Sequence, residues 1–486
     1  MMRYIIKLLL LLPVVLFSQD RPNIIFLNFD DMGRESIESN QYGTSSPTQA
    51  SYSIPYMQDS LLQKGEYYTN FHVTPICTPT RIAWLTGKYQ YNNMECFAWM
   101  HHSQRTFAHD LKFSGYNTSQ MGKWHMSGRQ DDMEYPLRGS DTDPKHPVSD
   151  TLNPIRAGFD DMFSFYVTNT IGTYDEFIFF DEKKDVIEYT QPKFSGVGYG
   201  DDVMLDTLMK RVTDWQQDSK PFLIYASTWL PHTEYRPLPN EPDFPAYQTN
   251  ATRTPLEQHG KYLEYVDDYL SRFIGFMEDN NYLSNTVVII TADNGTWRRN
   301  NENSNPEFQF TDGNNIWDSQ KHYPSYNGGN VPLWVLYDGA NTTVQKGNTN
   351  DRLIQAEDIY STVNELARTG RDDNKGQSKS FADEIVNYAT GEVRQIIVQY
   401  FDPRTIFNNP HDEKLWVFDG TYALDEFGNF YDVEDSPEMY IPAFTNFTTT
   451  GMNASELTAF NVLRDELDNH PKVQHYNYKV LQNPND

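Results

Sequence analysis

Two acid pairs carry the first chemistry. Asp30-Asp31 follows the apolar run Pro22 to Phe29 (PNIIFLNF), and Asp293-Asn294 follows Thr286 to Thr291 (TVVIIT). Three carboxylates and one amide oxygen, brought together, make a hard-oxygen cluster suited to Ca²⁺ ahead of Mg²⁺. Either pair alone reads more simply as turn chemistry, because Asp and Asn before Gly commonly close strands. Both pairs, each at the end of a buried run, favour the metal reading. Cys77 is the next candidate: it sits in Cys77-Thr78-Pro79-Thr80-Arg81, with Leu85-Thr86-Gly87 just beyond. As an ordinary residue it would be a small buried apolar thiol.

The elements that must position these groups are short apolar runs alternating with helical patterns. Two further runs, Pro221 to Ala226 (PFLIYA) and Val331 to Tyr337 (VPLWVLY), read as strands. The first leads to Trp229-Leu230-Pro231-His232. Helical periodicity covers Tyr262 to Met277 and Ala356 to Ala367. Alternation of this kind predicts an α/β fold, a large domain with a mostly parallel central sheet flanked by helices. In such sheets ligands lie beyond the carboxyl ends of the strands, so polar groups following several strands share one site. Residues 296–315, rich in Asn, Glu and Gly, read as a loop beside that site. A polar stretch at 369–379 marks a boundary. Beyond it Val393 to Tyr400, Leu415 to Phe418 and Asn429 to Val433 read as shorter strands of an α+β subdomain with a short antiparallel sheet. The expected organisation is residues 1–18 as a leader, 20–372 as the main domain and 373–486 as the C-terminal subdomain.

Composition narrows the function class. The 486 residues carry 39 Lys+Arg against 67 Asp+Glu, a formal charge of −28, which opposes a general nucleic-acid binder. Aromatic residues at 14% supply a sizeable core and exclude a disordered chain. With two cysteines, Cys77 and Cys96, a disulfide-rich scaffold is excluded, although composition alone leaves one Cys77–Cys96 bridge open. Arg3 and Lys7 precede the apolar run Leu8 to Phe17, with Ser18 and Gln19 following, the pattern of an export signal. Export to the periplasm or medium is therefore expected. No later run reaches the roughly 18 apolar residues of a membrane span.

The stretch around Cys77, C-x-P-x-R followed by T-G, resembles the signature of the formylglycine-dependent sulfatases. In that family the Cys is oxidised after synthesis to an aldehyde, which implies a maturation enzyme as partner. The hydrated aldehyde offers one hydroxyl to attack sulfur and a second whose deprotonation expels sulfate. The resemblance extends to Arg21 to Gly33 (RPNIIFLNFDDMG), to Phe107 to Met126 with its GKWH motif, to Pro231-His232, to Thr291 to Gly295 (TADNG) and to Asn429 to Glu438 (NFYDVEDSPE). It implies Asp30, Asp31, Asp293, Asn294 and the modified Cys77 as Ca²⁺ ligands. It implies Arg81 as holder of the diol and of the charge near the metal, Lys123 and Lys321 on sulfate oxygens, His125 as the base during sulfate release, and His232 at the leaving oxygen. Cys96 is left as a lone thiol.

One departure stands out. The family's G-G-x-R-V-P appears as Gly328-Gly329-Asn330-Val331-Pro332, without the Arg, and the spacing from Lys321 is stretched, so His322 is a second candidate for the sulfate contact. For substrate selection the candidates are His101, His102, Arg105, His109, Arg298 and Arg299, with Trp99, Trp229 and Trp297 able to stack on sugar rings. The resemblance implies hydrolysis of sulfate esters on a carbohydrate. Alternatives are a phosphonate monoester or phosphodiester hydrolase of the same fold and an inactive sulfated-glycan binding protein. The full Lys123, His125, His232 and Lys321 set opposes the first, and the intact Cys77 and Arg81 oppose the second.

Overall fold

The computed structural model describes residues 21–39, 41–42, 52–93, 98–100, 103–127, 153–165, 180–181, 199–232, 238, 255–297, 309–311, 316–318, 321, 326–371, 377–401, 414–433 and 443–470. The leader reading, Cys96, His101, His102, Arg298, Arg299 and His322 lie outside these residues.

A ten-stranded sheet forms the body. In chain order its strands are β1 (Asn23–Phe29), β2 (Glu66–His72), β3 (Asn117–Lys123), β4 (Asp161–Phe165), β5 (Phe180–Asp181), β6 (Phe222–Ser227), β7 (Thr286–Ala292), β8 (Asn330–Leu336), β9 (Asn348–Asn350) and β10 (Ile354–Gln355). The spatial order is β9-β2-β8-β7-β1-β6-β3-β4-β5, with β10 also on β2. The centre, β7-β1-β6-β3-β4, is parallel throughout. β8 departs from that direction: it runs antiparallel to both β7 and β2, with a register shift at Pro332, which has no N–H to give to a ladder.

Of the central strands, β1, β6 and β7 are largely apolar runs, buried on both faces. The side chains of Phe26 and Phe29 point to opposite faces, since side chains alternate along a strand. Phe26 meets Trp84 of α1 (Cys77–Thr86) with ring centroids 4.9 Å apart. Phe29 meets Tyr269 of the long helix Pro255–Asp279 at 5.8 Å. Both contacts belong to one continuous core. No helix among the described residues is long and apolar enough to cross a membrane.

The C-terminal part forms a separate antiparallel sheet of β11 (Ile397–Phe401), β12 (Lys414–Phe418), β13 (Tyr422–Asp425) and β14 (Phe430–Asp432). β13 and the helix Ala454–Asn469 that packs on this sheet were not foreseen. The helix buries Phe460, Leu463 and Leu467 against Val417, Leu424 and Phe430. Its Asn453 and Glu456 form a capping box, a signal present in the sequence. The small sheet docks on the large one through Gln399, whose Nε2 donates to the Val73 carbonyl at 2.8 Å while its Oε1 accepts from Trp416 Nε1 at 2.8 Å.

Candidate active site

β1, β3, β6 and β7 all deliver their C-terminal ends to one place. Asp30 and Asp31 leave β1, Lys123 ends β3, His232 lies just past β6 and Asp293 follows β7. Cys77 is the first residue of α1, and Arg81 stands one turn further on the same face. Pro79 is tolerated there because the N–H groups of the first turn have no intrahelical acceptor. The open N-terminus of α1 also favours an anion near Cys77. Gly87 ends the helix in the left-handed region, and a Cβ there would lie 2.9 Å from the Tyr360 side chain.

The buried centre is a charge-matched cluster of Asp30, Asp31 and Asp293 with Arg81, Lys123 and Lys321, each under one-tenth exposed. Arg81 Nε and one terminal N–H donate to Asp293 Oδ2 at 2.9 and 2.7 Å. Its other terminal nitrogen donates to the Lys123 carbonyl at 3.0 Å and to Ser227 Oγ at 2.5 Å. Lys123 Nζ pairs with Asp30, and Lys321 Nζ donates to Asp31 Oδ1 at 2.5 Å. Asn294 Nδ2 donates to the same Asp31 oxygen at 2.7 Å, and the Asp31 N–H donates to Asp293 Oδ1 at 3.2 Å. His232 Nε2 lies 3.7 Å from Asp31 Oδ2. Cys77 Sγ lies 3.4 Å from His125 Nδ1, and Thr78 Oγ1 donates to the His125 carbonyl at 3.2 Å.

The backbone is specialised here. Asp31 and His125 adopt φ of 65° and 60°, a region that costs a residue with a side chain roughly 1–2 kcal/mol. Both are residues singled out from sequence, and such conformations persist only where the surroundings enforce them. Within GKWH, Gly122 has φ +78°, and a Cβ there would lie 2.0 Å from the Ser227 carbonyl oxygen of the neighbouring β6. Only glycine fits that position.

Burial and the ring of charges set the protonation states. Burial pushes the Asp30 carboxyl up, yet Lys123, His232 and Arg81 outweigh it and hold Asp30 well below the usual carboxylate range. Burial and the Asp30 carboxylate push Asp293 up to about 7, against the pull of Arg81. Burial likewise opposes charge on Lys321, but the Asp31 carboxylate keeps its ammonium above the ordinary range. Burial lowers His232 to about 4 and His125 well below its usual value, so both imidazoles are neutral near pH 7. Burial also raises the Cys77 thiol, with Lys123 and Lys321 pulling back, so unmodified Cys77 is a weak nucleophile at that pH.

The oxygen donors fit a divalent cation. Asp30 Oδ1, Asp31 Oδ2 and Asn294 Oδ1 are buried and lack a hydrogen-bond partner, a costly state unless a cation accepts them. Ligand atoms of Asp30, Cys77 and Asp293 lie within 4.8 Å of one another, as do those of Asp30, Asp31 and His232. Carboxylate and amide oxygens are the donors that Ca²⁺ and Mg²⁺ take.

The described catalytic and metal-ligand candidates from sequence thus meet in one cluster: Asp30, Asp31, Cys77, Arg81, Lys123, His125, His232, Asp293, Asn294 and Lys321. Two proposed selectivity residues are used elsewhere. Arg105 pairs with Asp110 at 2.5 Å, and His109 completes the capping box with Thr106 that starts the helix Phe107–Phe113. Trp99 is buried, while Trp229 and Trp297 are partly exposed. Cys77 is a free thiol. Four neighbours were missed from sequence: Ser227 under Arg81, Thr296, whose Oγ1 accepts the Gly33 N–H at 3.1 Å, Phe401, which packs on Ile76 and Cys77, and Asp201. The position of Ser227 at the end of an apolar run was the one available signal.

The family model described as Sulfatase matches residues 22–369, and the chain belongs to that family. It is 25% identical over 391 residues to the uncharacterized sulfatase YdeN of Escherichia coli K12, covering 73% of this chain and 64% of YdeN. It is 24% identical over 321 residues to the ulvan-active sulfatase of Formosa agariphila, covering 63% of this chain and 55% of that protein. The chain thus spans under two thirds of the length of these relatives. Among solved structures, BT4656 in complex with its substrate D-glucosamine-2-N,6-O-disulfate superposes with a TM-score of 0.62 at 17% identity, over 92% of this chain and 97% of that one.

Proposed function

We propose that the protein hydrolyses sulfate esters of carbohydrates, with Cys77 converted to formylglycine and Ca²⁺ held by Asp30, Asp31, Asp293 and Asn294. The observation that carries this reading is Cys77 Sγ at 3.4 Å from His125 Nδ1, beside a buried set of three carboxylates and three fixed cations. Formylglycine, as its hydrate, supplies an oxygen nucleophile that a thiol pushed up by burial does not, and Ca²⁺ supplies positive charge against sulfate oxygens. The chain's own groups do the rest. Lys123 and Lys321 bind sulfate oxygens and neutralise the charge a nucleophile must approach. His125, neutral and facing residue 77, takes a proton at Nδ1. His232, also neutral, donates a hydrogen bond to the leaving oxygen. Arg81 orients residue 77 and Asp293 together through its planar fork.

Carbohydrate is favoured as the carrier by the partly exposed Trp229 and Trp297, by the similarity to an ulvan-active sulfatase and by the likeness in fold to BT4656, whose substrate is D-glucosamine-2-N,6-O-disulfate. Maturation requires an enzyme that oxidises Cys77. Export rests on Arg3, Lys7 and the run Leu8 to Phe17. Release of inorganic sulfate from a panel of sulfated oligosaccharides, with phosphonate monoesters and phosphodiesters alongside, tests the reading. Sulfate release with no comparable turnover of the phosphorus esters supports it. Preference for a phosphorus ester overturns it.

A further inference from the structure

Trp229 occupies a singular position in the site. Its indole lies under the Lys123 ammonium, 4.5 Å from Nζ to the ring centroid. The same ring meets His232 edge-on, with centroids 5.1 Å apart and planes at 66°. Trp229 is partly exposed, as is His232, whereas Lys123 is buried. Its backbone is fixed at both ends of the turn: its N–H donates to buried Asp201 at 2.9 Å, and its carbonyl accepts from the His232 N–H at 2.9 Å. Thr228 N–H, one residue earlier, donates to the Asn28 carbonyl of β1 at 2.9 Å. The indole is therefore a rigid wall rather than a loop side chain free to turn away.

We propose that Trp229 is a specificity-determining residue that selects the alcohol half of the ester and favours a pyranose ring presenting a C–H face. The inference rests on the sulfatase reading of the site. With sulfate oxygens at Lys123 and the leaving oxygen at His232, the carbon bearing that oxygen comes next to the Trp229 ring, which touches both. A flat, partly exposed indole there offers apolar contact to a ring and little to a small flexible chain. Asp201, by accepting the Trp229 N–H, keeps that surface in place.

The test measures kcat/KM of the matured protein on methyl pyranosides carrying one sulfate each, with methyl sulfate as the acyclic reference. The quantity read is the ratio of the best pyranoside to methyl sulfate. Trp229→Ala and Trp229→Leu are expected to lower that ratio about tenfold, mainly through KM, the scale of one lost apolar contact in a substrate pocket. Trp229→Phe, which keeps a flat ring, is expected to hold the ratio within about threefold of the parent. Leu retains apolar bulk, so the Leu and Phe variants decide the matter even if the Ala variant folds poorly. A ratio unchanged in the Leu variant, with both substrates losing equally, overturns the assignment and leaves Trp229 only as a brace for Lys123 and His232. If the parent protein releases sulfate from methyl sulfate and from none of the pyranosides, the carbohydrate reading falls instead, and this inference with it.

Discussion

Arg81 grips a single oxygen of Asp293 with two N–H groups, at 2.9 and 2.7 Å, although 212 residues separate them. This pair ties the helix that presents Cys77 to the strand that presents the second acid pair. The position of Cys77 and the shape of the oxygen cluster are thereby one structural fact. Arg81→Leu leaves Asp293 and Asp30 buried with one cation fewer. It is expected to destabilise the protein by about 3–5 kcal/mol, the scale of breaking a buried ion pair from one side. Denaturant unfolding measures this. A loss below about 1 kcal/mol, the scale of an exposed pair, would show the cluster to be solvated instead.

The orphaned oxygens of Asp30, Asp31 and Asn294 lead to a second expectation. Ca²⁺ should raise the melting temperature, with a stabilisation near 2.7 kcal/mol at a hundredfold excess over Kd. Asp31→Asn and Asn294→Ala should each shrink that shift. A melting curve indifferent to Ca²⁺ and to chelator would contradict the ligand set.

Two glycines with positive φ make a matched pair. Gly122→Ala forces a Cβ to 2.0 Å from a carbonyl oxygen of the adjacent strand, whereas Gly115, at φ +86°, has nothing within 4 Å of the added atom. Gly115→Ala should cost only the backbone strain, roughly 1 kcal/mol, and Gly122→Ala several times that or failure to fold. Soluble yield and melting temperature of the two variants compare them directly. Equal losses would refute the close approach of β3 and β6 as the reason for the glycine.

Those close approaches also explain what the sequence could disclose. The acid pairs were legible because each follows an apolar run, and parallel strands of one sheet end on the same side. The Cys77 to Arg81 motif was legible as a resemblance, whereas the helix Cys77–Thr86 that sets the two on one face was not. β2 was not, because Glu66–His72 (EYYTNFH) carries polar residues on both faces, and Glu66 is buried by accepting hydrogen bonds from Gln345, Asn348 and Asn350. The direction of β8 was not legible either, since an apolar run has no sense of parallel or antiparallel. Ser227 and Phe401 take their places beside Arg81 and Cys77 only through contacts across the fold.

Glu35 contributes one part of the pH dependence of stability. It opens the short helix Glu35–Glu38 that follows β1, is 5% exposed, and burial pushes its carboxyl from an ordinary 4.5 up to about 7. Between those values the folded protein holds a proton that the unfolded chain has released, so stability falls as pH rises from about 4.5 to 7. Glu35→Gln removes that dependence. Relative to the parent, the variant should gain on the order of 3 kcal/mol between pH 5 and pH 8. Urea unfolding at the two pH values reads the difference, and a constant offset between the proteins would refute a buried, protonated Glu35.

Residue 77, in the form made from cysteine, is the proposed nucleophile. The direct measurement is inorganic sulfate released from a sulfated oligosaccharide by the matured protein and by its Cys77→Ala variant, both confirmed folded by their melting curves. The account predicts release by the first and none above background by the second. Turnover retained in Cys77→Ala would contradict it.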